Sequence, residues 1–380
     1  MFFSGESNLA LPCARFKVTY HLWGSQNEAY AKAQDICLEQ TVEFPDDLVP
    51  DGVIREHIIG HIESFGRCGE DEYEAVISYA EPVAAGELTQ LLNVVFGNIS
   101  IKPDIRVTNL ELPDSLLRGF KGPRFGRDGL REVLRIEDRP LLFTALKPMG
   151  LKAAELAELA YTFALGGIDI IKDDHGLSNQ PFASYAERVR ICAAAVGRAN
   201  AKTGRHAIYM PNITAPFNEI IDRARLAKEA GAGGYLICPG LTGLDTMRAI
   251  AEDDELGLPI ISHPAFQGSY VLGRSGISHQ VIFGQIVRLA GGDATIFPNF
   301  GGRFSFSREE CEGIVKGATM PMCQLKPIFP CPAGGMSLSS VPEAIKVYGR
   351  DVIFLVGGGL FKHGPDLLEN IKYFKTIIEG

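Results

Sequence analysis

From about residue 140 the chain settles into a repeating pattern. A short apolar run, closed by Gly, Pro or a polar residue, is followed by a longer amphipathic stretch. The runs are LLFTALKP (141–148), GGIDIIKDD (166–174), HAIYMPNIT (206–214), GGYLICP (233–239), LPIISHPAF (258–266), ATIFPNF (294–300), PIFPCPAGG (327–335) and VIFLVGGG (352–359). Between them AAELAELAYTFAL, YAERVRICAAAVGRA, FNEIIDRARLAKEAG and QVIFGQIVRLAGG repeat apolar residues at helical spacing. Strands that are apolar throughout belong to a parallel sheet covered on both faces. Eight strand–helix units are the count of a closed (β/α)8 TIM barrel. A doubly wound open sheet is the alternative, but the first strand–helix turn has no GxGxxG.

The earlier part reads differently. ARFKVTYHLWG alternates as a strand, NEAYAKAQDICLEQTV as a helix, YEAVISYAEPV as a strand, AGELTQLLNVVFGNI as a helix and IRVTNLELP as a strand. This order predicts an α+β, ferredoxin-like N-terminal domain over residues 1–125, with the barrel over 126–380.

Composition narrows the partners. The 380 residues are 46% hydrophobic and 22% charged, ordinary for a globular chain with a sizeable core. A net charge of −9 argues against nucleic acid as the main partner. No apolar run is long enough to span a bilayer, so no membrane partner is expected. The start, MFFSGESNLALPCARF, lacks the basic and continuous apolar regions of a secretory signal. The eight cysteines are scattered without a CxxC pair, as expected of reduced thiols in a cytoplasmic protein.

In a barrel the carboxyl ends of the strands build the active site. Collected there are Lys147 from the first unit and Lys172, Asp173, Asp174 and His175 from the second. The third unit gives Asn212 and Thr214, and the fifth Ser262, His263 and Gln267. The sixth gives Asn299, Gly301, Gly302 and Arg303, the seventh Gly334 and Gly335, and the eighth Gly357, Gly358 and Gly359. Lys172, Asp174 and His175 read either as a metal site or as an ion pair at a strand end. A lysine ammonium cannot ligate a cation, but carbamylation by CO2 would turn it into an anionic oxygen ligand. Two oxygen ligands suit Mg2+, and a histidine suits Mn2+, Fe2+ or Zn2+ as well. Lys147 is either a base, activated where a cation and a second lysine crowd it, or an exposed strand-end lysine. Glycine-rich turns after the seventh and eighth strands are either the usual phosphate site of a barrel, where backbone N–H groups converge on an anion, or tight turns with no ligand. His263 is either a core histidine or a substrate contact.

These residues resemble the RuBisCO large-chain superfamily. GGIDIIKDDHGLSNQPF is similar to its activation segment, which carries a carbamylated lysine and two acidic metal ligands. TALKPMGL is similar to the segment holding its proton-abstracting lysine, here Lys147. VVFGN matches an N-terminal motif whose asparagine, here Asn98, reaches a neighbouring subunit's active site. ISHPAF, AGG and LVGGG match later barrel motifs. The chain departs from the carboxylases at several positions. Met149 replaces a second lysine, His175 a ligand glutamate, and Pro264 a phosphate-binding arginine. Ile296 occupies a histidine position, and NFGGRFSFSREE replaces the mobile loop with its catalytic lysine.

The resemblance is therefore to the non-carboxylating RuBisCO-like proteins, form IV. It implies a divalent cation, Mg2+ or another, with N6-carboxylysine at Lys172. Lys147, His263 and Asn98 would be catalytic. Gly334, Gly335, Gly357, Gly358, Gly359, Asn299 and Arg303 would hold substrate and phosphate. It also implies an antiparallel homodimer or higher homo-oligomer acting on a sugar phosphate. The chemistry would be enolisation in sulfur (methionine) salvage, foremost isomerisation of 5-methylthioribulose 1-phosphate. The alternatives are a diketo-methylthiopentyl-phosphate enolase, a decarboxylase of a phosphorylated 3-oxo sugar acid, and a catalytically silent phospho-sugar binding protein.

Overall fold

The computed structural model describes residues 13–304 and 306–379. The first twelve residues, most of the stretch read above for a secretory signal, lie outside the described residues, as do Ser305 and Gly380. The chain divides into two compact units, the first of Met1–Phe120, Gln267–Gln285 and Pro321–Leu325, the second of Lys121–Phe266, Ile286–Met320 and Lys326–Gly380. Among the described residues no helix is long and apolar enough to cross a membrane.

The first unit is a five-stranded sheet. Its order is Gly276–Ile277, Ile105–Glu111, Arg15–Trp23, Glu72–Ala80, His61–Gly69, antiparallel except for the parallel two-residue edge. Alternation sorts the faces. Phe16, Val18, Tyr20 and Leu22 are fully buried with Ala75, Ile77 and Tyr79 opposite, on the side of helices Gln26–Glu39 and Leu88–Phe96. The Tyr20 hydroxyl seals this layer, donating to the carbonyl of Val95 at 2.8 Å. The other face carries Lys17, Thr19, His21 and Trp23.

The second unit is the barrel. Its eight strands are Leu141–Leu146, Ile170–Asp173, Ile208–Met210, Tyr235–Ile237, Ile260–Ser262, Ala294–Pro298, Phe329–Ala333 and Ile353–Leu355. Parallel ladders join the eighth to the first, second and third, and the fourth to the fifth, sixth and seventh. A bridge between Asn212 and Leu236 joins the third and fourth strands. The seventh and eighth strands lie side by side and complete the ring. Leu141, Phe143, Ile170, Ile208, Met210, Leu236, Ile261, Ile296, Phe329 and Ile353 fill the interior, and Leu130 and Leu134 of helix Gly126–Leu134 pack onto the same cluster.

Two carboxylates just ahead of strands pin the amino-terminal end. Asp169 accepts from the Leu142 N–H at 2.7 Å and from both terminal nitrogens of Arg139. Asp293 is enclosed and accepts from the N–H groups of Phe125 (2.8 Å), Gly126 (2.6 Å) and Ile260 (2.8 Å). Burial pushes its carboxyl up to about 6, against the pull of those three donors.

At the other end, alternation splits the Lys172–His175 cluster. Ile170 faces the core, so Lys172 and Asp174 turn inward and Asp173 turns out toward the helices. There Asp173 accepts from the Tyr209 hydroxyl at 2.7 Å and the Asn212 N–H at 3.1 Å, and pairs with Arg188 at 3.1 Å with both side chains fully buried. Arg188 also donates to the carbonyls of Ala183 and Ser178, and the Asn212 amide donates to those of His175 and Leu177. This network fixes the backbone on which Asp174 and His175 stand.

Two outcomes follow. Arg188→Leu strands the Asp173 charge in the interior and should cost about 3–5 kcal/mol in urea unfolding; a loss under about 1 kcal/mol would contradict this network. For Asp293, the native pKa lies above that of the unfolded chain, so the stabilisation is complete below about pH 4 and is lost as pH rises through about 6. The stability difference between the wild type and Asp293→Asn should shift by about 2–3 kcal/mol toward the variant from pH 4 to 7. A pH-independent difference would contradict it.

Candidate active site

All the sequence-predicted site residues except Asn98 and Gln267 lie in the barrel unit, at or just beyond the carboxyl ends of its strands. Lys172 is 2% exposed and its Nζ donates to the Asp173 carbonyl at 3.0 Å. Burial is the main force lowering its pKa; the charge of Lys147 adds to this and that of Asp174 opposes it. Lys147 comes from the neighbouring first strand, and its Nζ lies 2.9 Å from Asp174 Oδ1. The same oxygen lies 3.4 Å from His175 Nδ1. Burial alone would raise the Asp174 carboxyl, but the hydrogen bond from His175 and the charges of Lys172 and Lys147 outweigh it and hold it well below the usual carboxylate range.

The His175 and His263 rings stack with centroids 4.4 Å apart and planes 16° from parallel. Burial, then the charge of Lys172, holds the His263 pKa far below the usual histidine value. The ring is therefore neutral near pH 7. Its Nδ1 accepts from the Ala265 N–H at 3.2 Å, which leaves the proton on Nε2. His263 is thus a half-buried neutral donor at the mouth.

The glycine turns continue this arc. Gly357 comes within 4.0 Å of the Lys147 side chain, measured from the position a Cβ would take. Gly334 and Gly335 have φ of +78° and +108°, a conformation that side-chain-bearing residues rarely adopt. The Arg303 N–H donates to the Gly334 carbonyl at 3.0 Å, and a Cβ on Gly302 would sit 2.6 Å from that carbonyl oxygen. Gly357 precedes the short helical turn Gly358–Lys362, whose first N–H groups have no acceptor within the turn. Arg303 lies over the Phe304 ring at 5.0 Å. Asn299 is buried, with its Oδ1 accepting from Tyr348 at 2.6 Å. A groove of about 440 Å³ opens beside Lys147, lined by Pro148, Leu151, Glu155, Glu158, Leu159, Thr162 and Phe361.

Asn98 lies in the first unit, where its amide donates to Glu39 at 3.0 Å and Glu43 at 3.1 Å. Gln267 also falls in that unit. Sequence reasoning missed Arg188 and Tyr209. The signal for Arg188 was present: Tyr185, Arg188, Val189, Cys192 and Val196 form one buried helical stripe, and a charge on such a stripe needs a partner.

The donor set can be tested for a divalent cation. Among the described residues no trio of His, Cys, Asp and Glu at the mouth comes within reach of one ion. Asp174 and His175 supply two donors, and a third requires Lys172. A buried lysine of lowered pKa has more of the neutral amine, the form that attacks CO2. The residues therefore fit a carbamate-completed divalent site of oxygen and nitrogen donors.

Residues 127–366 match the family described as ribulose bisphosphate carboxylase large chain, catalytic domain. The chain is 38% identical to the 5-methylthioribulose-1-phosphate isomerase of Rhodospirillum rubrum, over 96% of each chain. It is 31% identical to the 2,3-diketo-5-methylthiopentyl-1-phosphate enolase of Geobacillus kaustophilus, over 95% of this chain and 91% of that one. The crystal structure of a Rubisco-like protein from Rhodopseudomonas palustris superposes with a TM-score of 0.87 at 35% identity, covering 96% of this chain and 97% of that one. The chain thus belongs to the RuBisCO large-chain family, among its RuBisCO-like proteins.

Proposed function

We propose that this chain is an isomerase that moves a proton within a phosphorylated ketose, with 5-methylthioribulose 1-phosphate as its substrate. The observation that carries the reading is the Lys147–Asp174–Lys172 arrangement at one barrel mouth, an amine 2.9 Å from a carboxylate beside a buried lysine. Similarity over 96% of its length to a protein named for that isomerisation supports the choice of substrate.

In this reading the catalytic barrel spans residues 126–380. Lys147 takes the proton from the carbon next to the carbonyl and returns it to the adjacent carbon. Neutral His263 donates its Nε2 proton to a substrate oxygen. Gly334, Gly335, Gly357, Gly358 and Gly359 present backbone N–H groups to the phosphate, with Arg303 and Asn299 beside them. Asp174, His175 and a carbamylated Lys172 would hold Mg2+ or another divalent cation, which would supply positive charge against the oxygen where negative charge develops. In a homodimer, Asn98 would serve the neighbouring subunit's mouth. Phe300 and Phe304 offer an apolar wall to a methylthio tail. Residues 299–310 contain no lysine, which disfavours carboxylation, since the family's carboxylases use one there.

The enolase is the second reading, favoured by the relative of that name. Incubation with each substrate, followed by phosphorus NMR, separates the two. A new ketose phosphate from 5-methylthioribulose 1-phosphate supports the isomerase. Turnover of the diketone phosphate alone would replace it with the enolase.

Lys147→Met should lower kcat by about 10²–10⁴-fold with little change in substrate Kd. Wild-type turnover in that variant would remove Lys147 from the mechanism. Lys172→Met should abolish the stimulation of activity by bicarbonate and divalent cation together; stimulation that persisted would overturn the carbamate assignment.

A further inference from the structure

The open face of the N-terminal sheet carries a second cluster that the proposed reaction does not use. His21 lies on strand Arg15–Trp23, Glu72 and Glu74 on strand Glu72–Ala80, and Cys68 on strand His61–Gly69. One donor atom each from His21, Cys68 and Glu72 lie within 4.8 Å of one another. His21 Nδ1 is 2.6 Å from Glu72 Oε1, and its Nε2 is 3.5 Å from Glu74 Oε2.

Register explains how the thiol arrives there. The pairing of His61–Gly69 with its neighbour runs Gly66 to Glu74 and Arg67 to Tyr73, then jumps to Gly69 opposite Glu72. Cys68 is the extra residue of a β-bulge, so it and Gly69 together oppose Glu72. Regular pairing would place a single residue there. The bulge sets the thiol beside the carboxylate, and Gly69 adds no side chain to crowd it.

We infer that His21, Cys68 and Glu72 bind a zinc-class divalent cation, with His21 ligating through Nδ1, Cys68 through Sγ and Glu72 through Oε1. A thiolate and an imidazole select a borderline-soft cation over Mg2+ or Ca2+, which take oxygen donors. Bonds of about 2.0–2.3 Å at tetrahedral angles need donor atoms roughly 3.3–3.6 Å apart, so shifts of about an ångström complete the site. On ligation Cys68 loses its thiol proton to solvent and His21 gives up the proton it shares with Glu72.

The surroundings agree in two further respects. With Nδ1 on the cation, Nε2–H faces Glu74, the carboxylate partner that metal-bound histidines commonly have. Glu72 and Glu74 both pair with His21, so two carboxylates converge on the one imidazole. Three protein ligands leave a fourth position for water. The cation would tie three adjacent strands across the bulge.

The test is Co2+ titration of the full-length, chelator-stripped and reduced protein, followed by its visible and near-ultraviolet spectrum. The structure predicts a thiolate-to-cobalt charge-transfer band whose intensity corresponds to one cobalt per chain at this site and which Zn2+ abolishes. Cys68→Ser and His21→Ala should lose that band while keeping the wild-type far-ultraviolet circular dichroism. Glu74→Gln should keep the band with affinity about 10–100-fold weaker. The residues assigned to the barrel-mouth cation include no thiol, so occupancy there adds no such band. A wild type without the band, or a Cys68→Ser variant that retains it, would overturn the site.

Discussion

A lysine buried at the mouth of a barrel is the constraint around which the rest of the candidate site is built. Lys172 can be there because Ile170, two residues earlier, faces the core. The same parity brings Asp174 inward beside it and turns Asp173 to the helix layer. Desolvation penalises the lysine's charge, and Asp174 only partly compensates. The interior therefore holds an amine biased toward its neutral form next to a carboxylate biased toward its ionised form. Such opposed shifts are characteristic of functional sites, though ion-pair networks produce them as well.

The outward-facing Asp173 shows how the arrangement is held in place. Its pair with Arg188 has no solvent to screen it, and both partners spend their remaining hydrogen-bonding capacity on Tyr209, Asn212 and the carbonyls of Ser178 and Ala183. Asn212 carries the restraint on to the His175 and Leu177 carbonyls. A carboxylate facing the mouth and one facing the helix layer thus stand next to each other in sequence, separated only by strand alternation. At the opposite end of the barrel Asp169 and Asp293 do purely structural work on backbone N–H groups.

The barrel was legible because its strands are buried on both faces and read as unbroken apolar runs. Strand His61–Gly69 was missed because it is an edge strand, largely exposed and polar, with no alternation to detect. Gly276–Ile277 is too short to leave a pattern. QVIFGQIVRLAGG reads as one helix but winds as a π-helical stretch, Gln280–Gln285, followed by the α-helical turn Ile286–Leu289. At the mouth, residue types identified Lys147, Lys172, Asp174 and His175, and the structure brings them onto adjacent strands and one loop. The opposite facing of Asp173 and Asp174 follows from counting parity along GGIDIIKDD. The partner of Asp173 lies on a different element, so spacing within the motif carried no information about it. The stacking of His175 on His263 likewise joins residues 88 positions apart.

The central claim is that Lys147 faces a carbon acid at this mouth. Its most direct measurement is exchange of the substrate α-proton of 5-methylthioribulose 1-phosphate with solvent deuterium, followed by NMR with Mg2+ and bicarbonate, with and without chelator. The account predicts exchange that the chelator abolishes. The absence of exchange under activating conditions would contradict it and leave the mouth as a place where a sugar phosphate binds without proton transfer.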